Sequence, residues 1–384
     1  MGGFASFNGE RDGMNRRALG AALAVAALTV AVPATSASAA PAPTARTSKA
    51  ARITTLTTKV DFPFGIAVNR GRIYVADGAT ATVSRLVGAN LVTVAKGPQG
   101  PENDVAGLAF SHDGNKIAFT TSNGSHSKTT LQIRGPYGAR HSANLAAYEK
   151  RVNPDKKVHY GVDHPSACVI SELAKLGKDA PPATYTGQVD SHPYAVAAYG
   201  KSSWIVADAG GNDLLKVNRH GKVRKIAVLP RQPYRVTAAG AVAIGLKANS
   251  CLVGKGYNFE AVPTGVDVRN GRIYVSILAG GPETPALGAR SKIYRVNPKT
   301  GKAHTVARGL SGATSVAVGR GGRIFTTEYY SGEVSVIRHG KVRLIAKVPQ
   351  AVSIADTRLA LYVGTTQKFG PKGPEGTGSV VRIR

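Results

Sequence analysis

Acidic side chains are scarce in this chain of 384 residues, which carries 22 Asp and Glu against 50 Lys and Arg. The formal net charge is therefore +28 at pH 7. A charge of this size keeps a protein soluble and attracts polyanions, over a range of about 8 Å at physiological ionic strength. It makes any cluster of carboxylates in the folded chain an unusual local feature.

Aromatic residues are also few, with a single Trp and 6% Phe, Trp and Tyr in total. Basic segments such as 216–225, 338–343 and 382–384 contain none of them. Proteins that bind single-stranded nucleic acid need aromatic platforms among their basic residues, so we expect nucleic acid not to be a partner. Two alternatives remain for the basic surface: contact with an anionic cell-wall polymer or acidic polysaccharide, and simple solvation.

Only two cysteines occur, Cys168 and Cys251. This number excludes a cysteine-rich scaffold, and in an exported protein it predicts one disulfide. Closing so long a loop stabilises a fold by about 4 kcal/mol in the chain-entropy account. Two free thiols, or half of a metal site, are the alternatives.

Long hydrophobic runs are absent, and the longest apolar stretch is Ala18–Val32. It is too short for a span of about 20 residues, but it follows Arg16 and Arg17 and precedes the cleavage pattern Ala37–Ala39. The sequence therefore predicts a signal peptide over residues 1–39, with Met14 as an alternative start and either general or twin-arginine export.

Removal of residues 1–39 leaves 47 basic and 20 acidic side chains, a net charge of about +27. A Pro-, Ala- and Thr-rich lead follows over residues 40–50. We expect the mature protein to be secreted, either extracellular or associated with the cell wall, with no transmembrane segment after cleavage.

Residues 51–384 contain six repeats of a unit of three or four strands. Each repeat opens on a small residue and continues with a more apolar second strand. The opening strands are Gly65–Val68, Gly107–Phe110, Ala195–Ala198, Gly265–Val268, Ser315–Val318 and Ser353–Asp356. The sixth repeat lacks its fourth strand, and Ala51–Thr58 is an extra strand-like run before the first. This pattern predicts an all-β fold, a single six-bladed β-propeller closed by its N-terminal strand.

Two insertions interrupt the repeats, at about 146–190 and 230–262. The first contains two predicted helices, over 145–152 and 168–176. Strands of a blade alternate in direction, so both insertions emerge on the same face as the turns between second and third strands. We expect a partly helical cover on one face, which is where a binding site would lie.

Specific polar and aromatic residues are predicted to gather on that face. The candidate binding residues are Asp77, Asp104, His192, Tyr194, Asp208, Asn212, Tyr257, Glu260, Tyr329 and Tyr330. They could hydrogen-bond a hydroxylated ligand. The alternative is structural, because Asp77, Asp208 and Glu328 occupy equivalent repeat positions and could anchor turns.

Oxygen ligands from Asp208, Asp267 and Glu328 make Ca²⁺ the candidate cofactor. The loop Asp208–Asp213 resembles a calcium loop only loosely, since the alternating oxygens and distal Glu of an EF-hand are missing. His192, Glu260 and Glu328 are the candidate acid–base residues. The sequence motifs of common hydrolases, zinc proteases, nucleotide-binding enzymes and redox proteins are absent.

Four stretches carry a family resemblance: Ser191–Val196, Val206–Val217, Tyr257–Asp267 and Leu278–Arg290. Together they resemble the ScyD/ScyE family. The resemblance implies an exported six-bladed propeller, related to NHL-repeat proteins and common in actinobacteria. Named members belong to the cyanobacterial scytonemin gene cluster, which implies no particular reaction here.

Two other propeller families bear on catalysis. Gluconolactonase-like propellers bind a divalent metal through Glu, Asn and Asp, but Ala106–Gly107 replaces the expected Asn-Gly and Asp61–Pro63 replaces the expected start, leaving Asp267 as an oxygen donor. Strictosidine-synthase-like propellers use an acidic residue, which points to Glu260 or Glu328. The sequence favours a binding or scaffold module without catalysis, acting on an unidentified extracellular ligand or protein. The alternatives are a cation-dependent lactonase-like hydrolase or lyase, and a wall-polymer scaffold.

Overall fold

The computed structural model describes residues 51–177, 180, 182–281, 287–370 and 373–384. The predicted signal peptide and lead, residues 1–50, lie outside them. The described residues form thirty strands and three α-helices, so the fold is all-β with small helical additions. No helix within this part of the chain is long and apolar enough to cross a membrane.

The N-terminal strand and the strands of the first two repeats come first in the chain. They are β1 (Ile53–Val60), β2 (Pro63–Asn69), β3 (Arg72–Asp77), β4 (Thr82–Val87), β5 (Asn90–Lys96), β6 (Asp104–Phe110), β7 (Ile117–Ser122), β8 (Thr130–Arg134) and β9 (Arg140–Asn144).

The middle of the chain holds the third repeat and both insertions. Its strands are β10 (His159–Gly161), β11 (Thr184–Thr186), β12 (Pro193–Tyr199), β13 (Ser203–Asp208), β14 (Asp213–Asn218), β15 (Val223–Val228), β16 (Gln232–Arg235) and β17 (Gly256–Phe259). Its helices are α1 (Leu145–Val152), α2 (Ala167–Ala174) and α3 (Ala238–Ala243), whose N-caps are Asn144, Ser166 and Thr237. Each cap side chain accepts a backbone N–H of the first turn.

The last three repeats complete the chain. Their strands are β18 (Pro263–Arg269), β19 (Arg272–Ile277), β20 (Ser291–Val296), β21 (Ala303–Leu310), β22 (Ala313–Val318), β23 (Ile324–Glu328), β24 (Glu333–Arg338), β25 (Lys341–Lys347), β26 (Ala351–Asp356), β27 (Leu361–Thr365), β28 (Lys368–Gly370), β29 (Gly373–Glu375) and β30 (Gly378–Ile383).

Six four-stranded antiparallel sheets correspond to the six repeats. Five of them are simple meanders of four consecutive strands, and the sixth has the order β1-β30-β27-β26. Ile53 pairs with Ile383, so the N-terminal strand completes the sheet begun by the last repeat. The inner strands β2, β6, β12, β18, β22 and β26 contact one another in a closed cyclic order.

A seventh four-stranded sheet, with the order β11-β10-β17-β16, is built from the two insertions. The sequence predicts six sheets and a helical cover, so this prediction is incomplete. The strands of the seventh sheet are only three or four residues long, too short to show the alternation by which a strand is recognised. The cover is thus a small sheet with α2 and α3 around a shared apolar cluster that includes Val169, Leu173 and Leu252.

Neighbouring inner strands lie so close together that their opening residues must be small. A Cβ atom at Gly65 would be 2.3 Å from the carbonyl oxygen of Ala106, and one at Gly107 would be 2.8 Å from the backbone of Ala195. At Gly265 it would lie 2.8 Å from Cα of Ser315. This contact explains why every repeat opens on Gly, Ala or Ser.

Side-chain hydroxyls also join neighbouring inner strands. Thr264 Oγ1 donates to the carbonyl of Ala313 at 3.0 Å, and Thr314 Oγ1 to that of Ala351 at 3.1 Å. Ser353 Oγ donates to the carbonyl of Pro63 at 2.5 Å, which links the last repeat to the first. These buried bonds fix the position of one inner strand along its neighbour at three junctions.

We predict that Gly107→Ala destabilises the fold by roughly 1–3 kcal/mol, because the added methyl group meets backbone atoms that cannot move aside. Urea unfolding followed by circular dichroism measures the change. Gly256→Ala is the matched control, since a Cβ there has no heavy atom within 4 Å. An equal effect of the two substitutions would contradict the proposed role of close strand approach.

Candidate functional site

The carboxylates that end second strands anchor turns. Asp77 pairs in register with Pro63, and its Oδ1 accepts the backbone N–H groups of Phe62 and Ala79 at 3.0 and 3.2 Å. Glu328 is the equivalent residue of β23; its Oε2 accepts the N–H of Ser311 at 2.8 Å and its Oε1 the hydroxyl of Ser335 at 2.6 Å. Both side chains therefore hold the connection that enters their own sheet.

The three predicted metal ligands are not grouped by the structure. Asp267 lies within β18, where its Oδ2 accepts the N–H of Val318 at 2.6 Å and its Oδ1 that of Val268 at 2.7 Å. Asp208 and Glu328 end strands of different sheets and satisfy their own turns. Asp208, Asp267 and Glu328 thus do not fit a shared Ca²⁺ ion.

Asp208 differs from the other strand-end carboxylates because it positions a histidine. Its Oδ1 accepts the N–H of His192 at 2.6 Å and that of Gly211 at 3.3 Å, and its Oδ2 accepts the hydroxyl of Ser191 at 2.7 Å. Burial raises the pKa of Asp208, and these donors oppose the rise. The carboxylate fixes the backbone on which the imidazole of His192 is carried.

Two histidines stack at the end of the second and third inner strands. His126 lies in the turn between β7 and β8, and His192 directly precedes β12. Their ring centroids are 4.3 Å apart, with the planes inclined by 32°. Each ring faces a carboxylate: His126 Nδ1 lies 2.8 Å from Asp190 Oδ1, and His192 Nε2 lies 3.4 Å from Asp104 Oδ2.

The His192 side of this pair has unsatisfied polar atoms. His192 is 5% exposed, and neither of its ring nitrogens makes a hydrogen bond, nor does the buried Oδ1 of Asp104. The 3.4 Å approach of His192 to Asp104 is an ion-pair distance without hydrogen-bond alignment. Buried polar atoms without partners are uncommon in folded proteins, so these are atoms that a bound molecule could satisfy.

His126 has a raised pKa. Burial alone would lower it, because burial disfavours the charged imidazolium. The hydrogen bond and charge of Asp190, together with the charges of Asp104 and Asp208, outweigh that effect. His126 is therefore held closer to its protonated form than a free histidine.

Aromatic side chains adjoin the histidines. Tyr194 contacts His192 edge-on at 5.7 Å and Phe64 at 5.3 Å between ring centroids. Phe64 and Tyr194 belong to a buried cluster with Ala106, Ala209 and Val262, which draws on four repeats. An apolar surface that includes Phe64 and Tyr194 thus lies beside the polar atoms of the histidine pair.

Other predicted binding residues lie in a second aromatic group. Tyr257 and Phe259 are on β17 with ring centroids 4.6 Å apart, and the guanidinium of Arg290 lies 4.5 Å above the Phe259 ring. Tyr329 and Tyr330 follow β23 and meet edge to face at 5.8 Å. Burial raises the pKa of Tyr257 and lowers that of Arg290.

Asn212 connects the third sheet to the insertions. Its Oδ1 accepts the N–H groups of Ala261 and Val262 at 3.1 and 3.0 Å, and its Nδ2 donates to Asp155 Oδ2 at 3.1 Å. Its φ of 53° is in the left-handed region that Asn tolerates. Asn212, which the sequence predicts to bind a ligand, therefore uses its side-chain oxygen and nitrogen in hydrogen bonds within the protein.

A group of carboxyl side chains surrounds Asn212. Glu149, Asp155, Asp208 and Asp213 are buried, and Glu260 is half-buried. Burial and the neighbouring charges of Asp208, Asp155 and Asp190 raise the pKa of Glu149 to about 9. Burial also raises the pKa of Asp155 to about 6, that of Asp213 well above its usual value, and that of Glu260 to about 7.

The disulfide prediction is confirmed. Cys168 of α2 is bonded to Cys251, with 6.4 Å between the Cα atoms, so the bond ties the two insertions together. Glu172 accepts the N–H of Cys251 at 3.0 Å. Within the described residues, Cys168, Glu172 and Cys251 form a group whose ligand atoms lie within 4.8 Å of one another, but the disulfide occupies both sulfurs.

Sequence reasoning missed His126 as a functional candidate, and Glu149, Asp155 and Asp213 as a group. A pattern in α1 could have identified Glu149, because Leu145, Tyr148 and Val152 define an apolar face at helical spacing and Glu149 lies on it. His126 is in a turn between second and third strands, the same class of position as Asn212.

Comparisons with known proteins identify the fold. No family model and no curated protein matches the chain. Among solved structures, it is similar to the PQQ-bound aldose sugar dehydrogenase from Streptomyces coelicolor, with 12% identity and a TM-score of 0.51 over 87% of this chain and 98% of that one. It is also similar to a gluconolactonase from Xanthomonas campestris, with 11% identity and a TM-score of 0.50 over 87% and 90%. The chain therefore has a propeller-type fold.

We predict that the pKa of His126 lies above 6.5 and falls in Asp190→Asn, because the substitution removes the partner charge. Raising the folded-state pKa of a histidine adds stability that is fully present below its unfolded pKa and is lost as pH rises through the folded value. The unfolding free energy of the wild type should fall across that window relative to Asp190→Asn. Histidine NMR titration and urea unfolding measure the two effects; unchanged titration in the variant would contradict the assignment.

Proposed function

We propose that this chain is an exported six-bladed propeller that binds a small polar molecule against His126 and His192. We further propose that the two imidazoles carry out acid–base chemistry on it, as in a hydrolase or lyase. The observation that carries the proposal is the set of unsatisfied atoms at the histidine pair, namely the ring nitrogens of His192 and Oδ1 of Asp104. An unsatisfied buried polar group costs about 1–3 kcal/mol, which a ligand with a donor and an acceptor would recover.

The carboxylates around the two histidines suit the imidazoles to proton transfer. An imidazole that donates from Nδ1 to a carboxylate is fixed in orientation and tautomer, as in known acid–base sites. His126 is held in this way by Asp190 at 2.8 Å, and His192 is the neighbouring imidazole on a backbone anchored by Asp208. We assign the role of acid to His126, whose pKa is raised, and the role of base to the neighbouring imidazole of His192.

The apolar residues beside the histidines suggest the class of substrate. Phe64 and Tyr194 provide an apolar surface beside the polar atoms, as small-molecule sites usually do. A lactone or another small hydroxylated compound combines an apolar ring with donor and acceptor groups. The similar gluconolactonase shows that a propeller-type scaffold can carry a lactonase, although fold alone does not fix a reaction.

A second candidate is binding without catalysis, including retention on an anionic cell-wall polymer. Its support is the excess of positive charge, with 50 Lys and Arg in the sequence. Basic side chains such as Lys222, Arg224 and Lys225 lie on or beside the outer strand β15. The Cys168–Cys251 disulfide supports an oxidising, extracytoplasmic location.

The test is hydrolysis of a panel of lactones at constant pH, with thermal shift as a separate measure of binding. We predict that His192→Ala lowers turnover by about 10²–10⁴-fold, the usual contribution of a general acid or base, and that Asp104→Asn weakens binding. His112→Ala is the control, because His112 is an exposed residue of the turn after β6. Binding without turnover in the wild type would favour the second candidate, and equal turnover in His192→Ala would overturn the acid–base role.

A further inference from the structure

We propose that Glu149, Asp155 and Asp213 form a buried Ca²⁺ site between the third sheet and helix α1, separate from the histidine pair. Glu149 lies in the last turn of α1, Asp155 follows that helix, and Asp213 is the first residue of β14. The site does not depend on the proposed catalytic function. Its three carboxyl groups are not the Ca²⁺ ligands predicted from the sequence, of which only Asp208 lies beside it.

Three buried side chains carry carboxyl oxygens that have no hydrogen-bond partner. Glu149, Asp155 and Asp213 are 2%, 1% and 0% exposed. Glu149 Oε1, Asp155 Oδ1 and both carboxylate oxygens of Asp213 have no hydrogen-bond partner. A buried carboxyl oxygen without a hydrogen-bond partner is costly, and here such oxygens occur on three neighbouring side chains.

The three carboxyl groups also have no basic partner. Among the described residues, no Lys, Arg or His nitrogen lies within 4.0 Å of these three carboxylates. Lys225 is the cation whose charge acts on Asp213, but it makes no ion pair with it. The site is therefore a cluster of acidic groups without a basic partner, and a divalent cation could take that place.

The donor chemistry selects the ion. The unpartnered atoms of the three side chains are all carboxyl oxygens, and Ca²⁺ prefers six to eight oxygen ligands from carboxylates, carbonyls and water. Gly211 packs closely beside Glu149: a Cβ there would lie 3.3 Å from Glu149 Oε2, 3.6 Å from the carbonyl oxygen of Asp190 and 3.7 Å from Cγ of Asp208. A backbone carbonyl and a second-strand carboxyl group thus lie beside the same glycine.

The spacing indicates modest affinity. Unlike the cysteine group, these carboxylates do not bring three ligand oxygens within 4.8 Å of one another. Binding therefore requires rotation of side chains toward the ion, with water completing its coordination. We expect a dissociation constant in the range of extracellular calcium modules, about 10⁻⁴–10⁻³ M.

The experiment is CaCl₂ titration of the chelator-treated full chain by calorimetry, with thermal unfolding in CaCl₂ and in EDTA. We expect one ion per chain and a rise in Tm at about 10 mM CaCl₂. Asp213→Asn should weaken binding about tenfold or more and abolish the rise in Tm. In EDTA the same variant should melt above the wild type, because it removes a buried carboxyl group whose two oxygens have no hydrogen-bond partner.

Two further variants keep the test decisive. Glu149→Gln should reproduce the loss of calcium response if Asp213→Asn does not fold. Asp77→Asn is the matched control, a strand-end carboxylate of the first sheet, and should keep the response. No heat and no Tm change in the wild type, or a calcium response retained in both Asp213→Asn and Glu149→Gln, would overturn the site. Neither result bears on lactone turnover, so this proposal and the proposed function fail separately.

Discussion

Close approach of the inner strands is the constraint on which the rest of the structure depends. Backbone meets backbone at Gly65, Gly107 and Gly265, where no side chain fits. Hydroxyls of Thr264, Thr314 and Ser353 bridge β18 to β22, β22 to β26 and β26 to β2. Because each sheet is set against the next at so short a distance, the ends of adjacent inner strands fall within side-chain reach. The pairing of His192 with Asp104, which comes from the next inner strand, follows from that distance.

The seventh sheet shows how insertions change what a repeat can do. In the first repeat, Asp77 only anchors a turn. In the third, the equivalent Asp208 has the same function, but the insertions add Glu149, Asp155 and Glu260 around it. The disulfide and the bonds from Asn212 to Ala261 and Val262 hold these acids in place. Packing energy from the surrounding fold thus keeps like charges together that would separate in a flexible loop.

Much of the fold could be predicted because the repeats carry strong local patterns. The helix Leu145–Val152 lies where the sequence predicts it, and a second strand follows the opening strand, as at Arg72–Asp77 and Arg272–Ile277. The inner strands begin about two residues earlier than predicted, because a register shift separates Pro63 from Gly65 and interrupts the alternation. The seventh sheet escaped prediction because β10 pairs with β17 across almost 100 residues of sequence. For the same reason the sequence identified His192 and Asp104 but not their convergence with His126 and Asp190.

The pairing of β1 with β30 has a consequence for biogenesis. The sheet that contains them joins strands from the two ends of the described chain, with Ile53 opposite Ile383. Its hydrogen bonds cannot form until the chain has been synthesised through β30, whereas five other sheets are made of consecutive strands. During that interval β27 presents an open edge, the kind of surface on which chains aggregate. The pairing of β1 with β30 thus covers this edge only at the last step of folding.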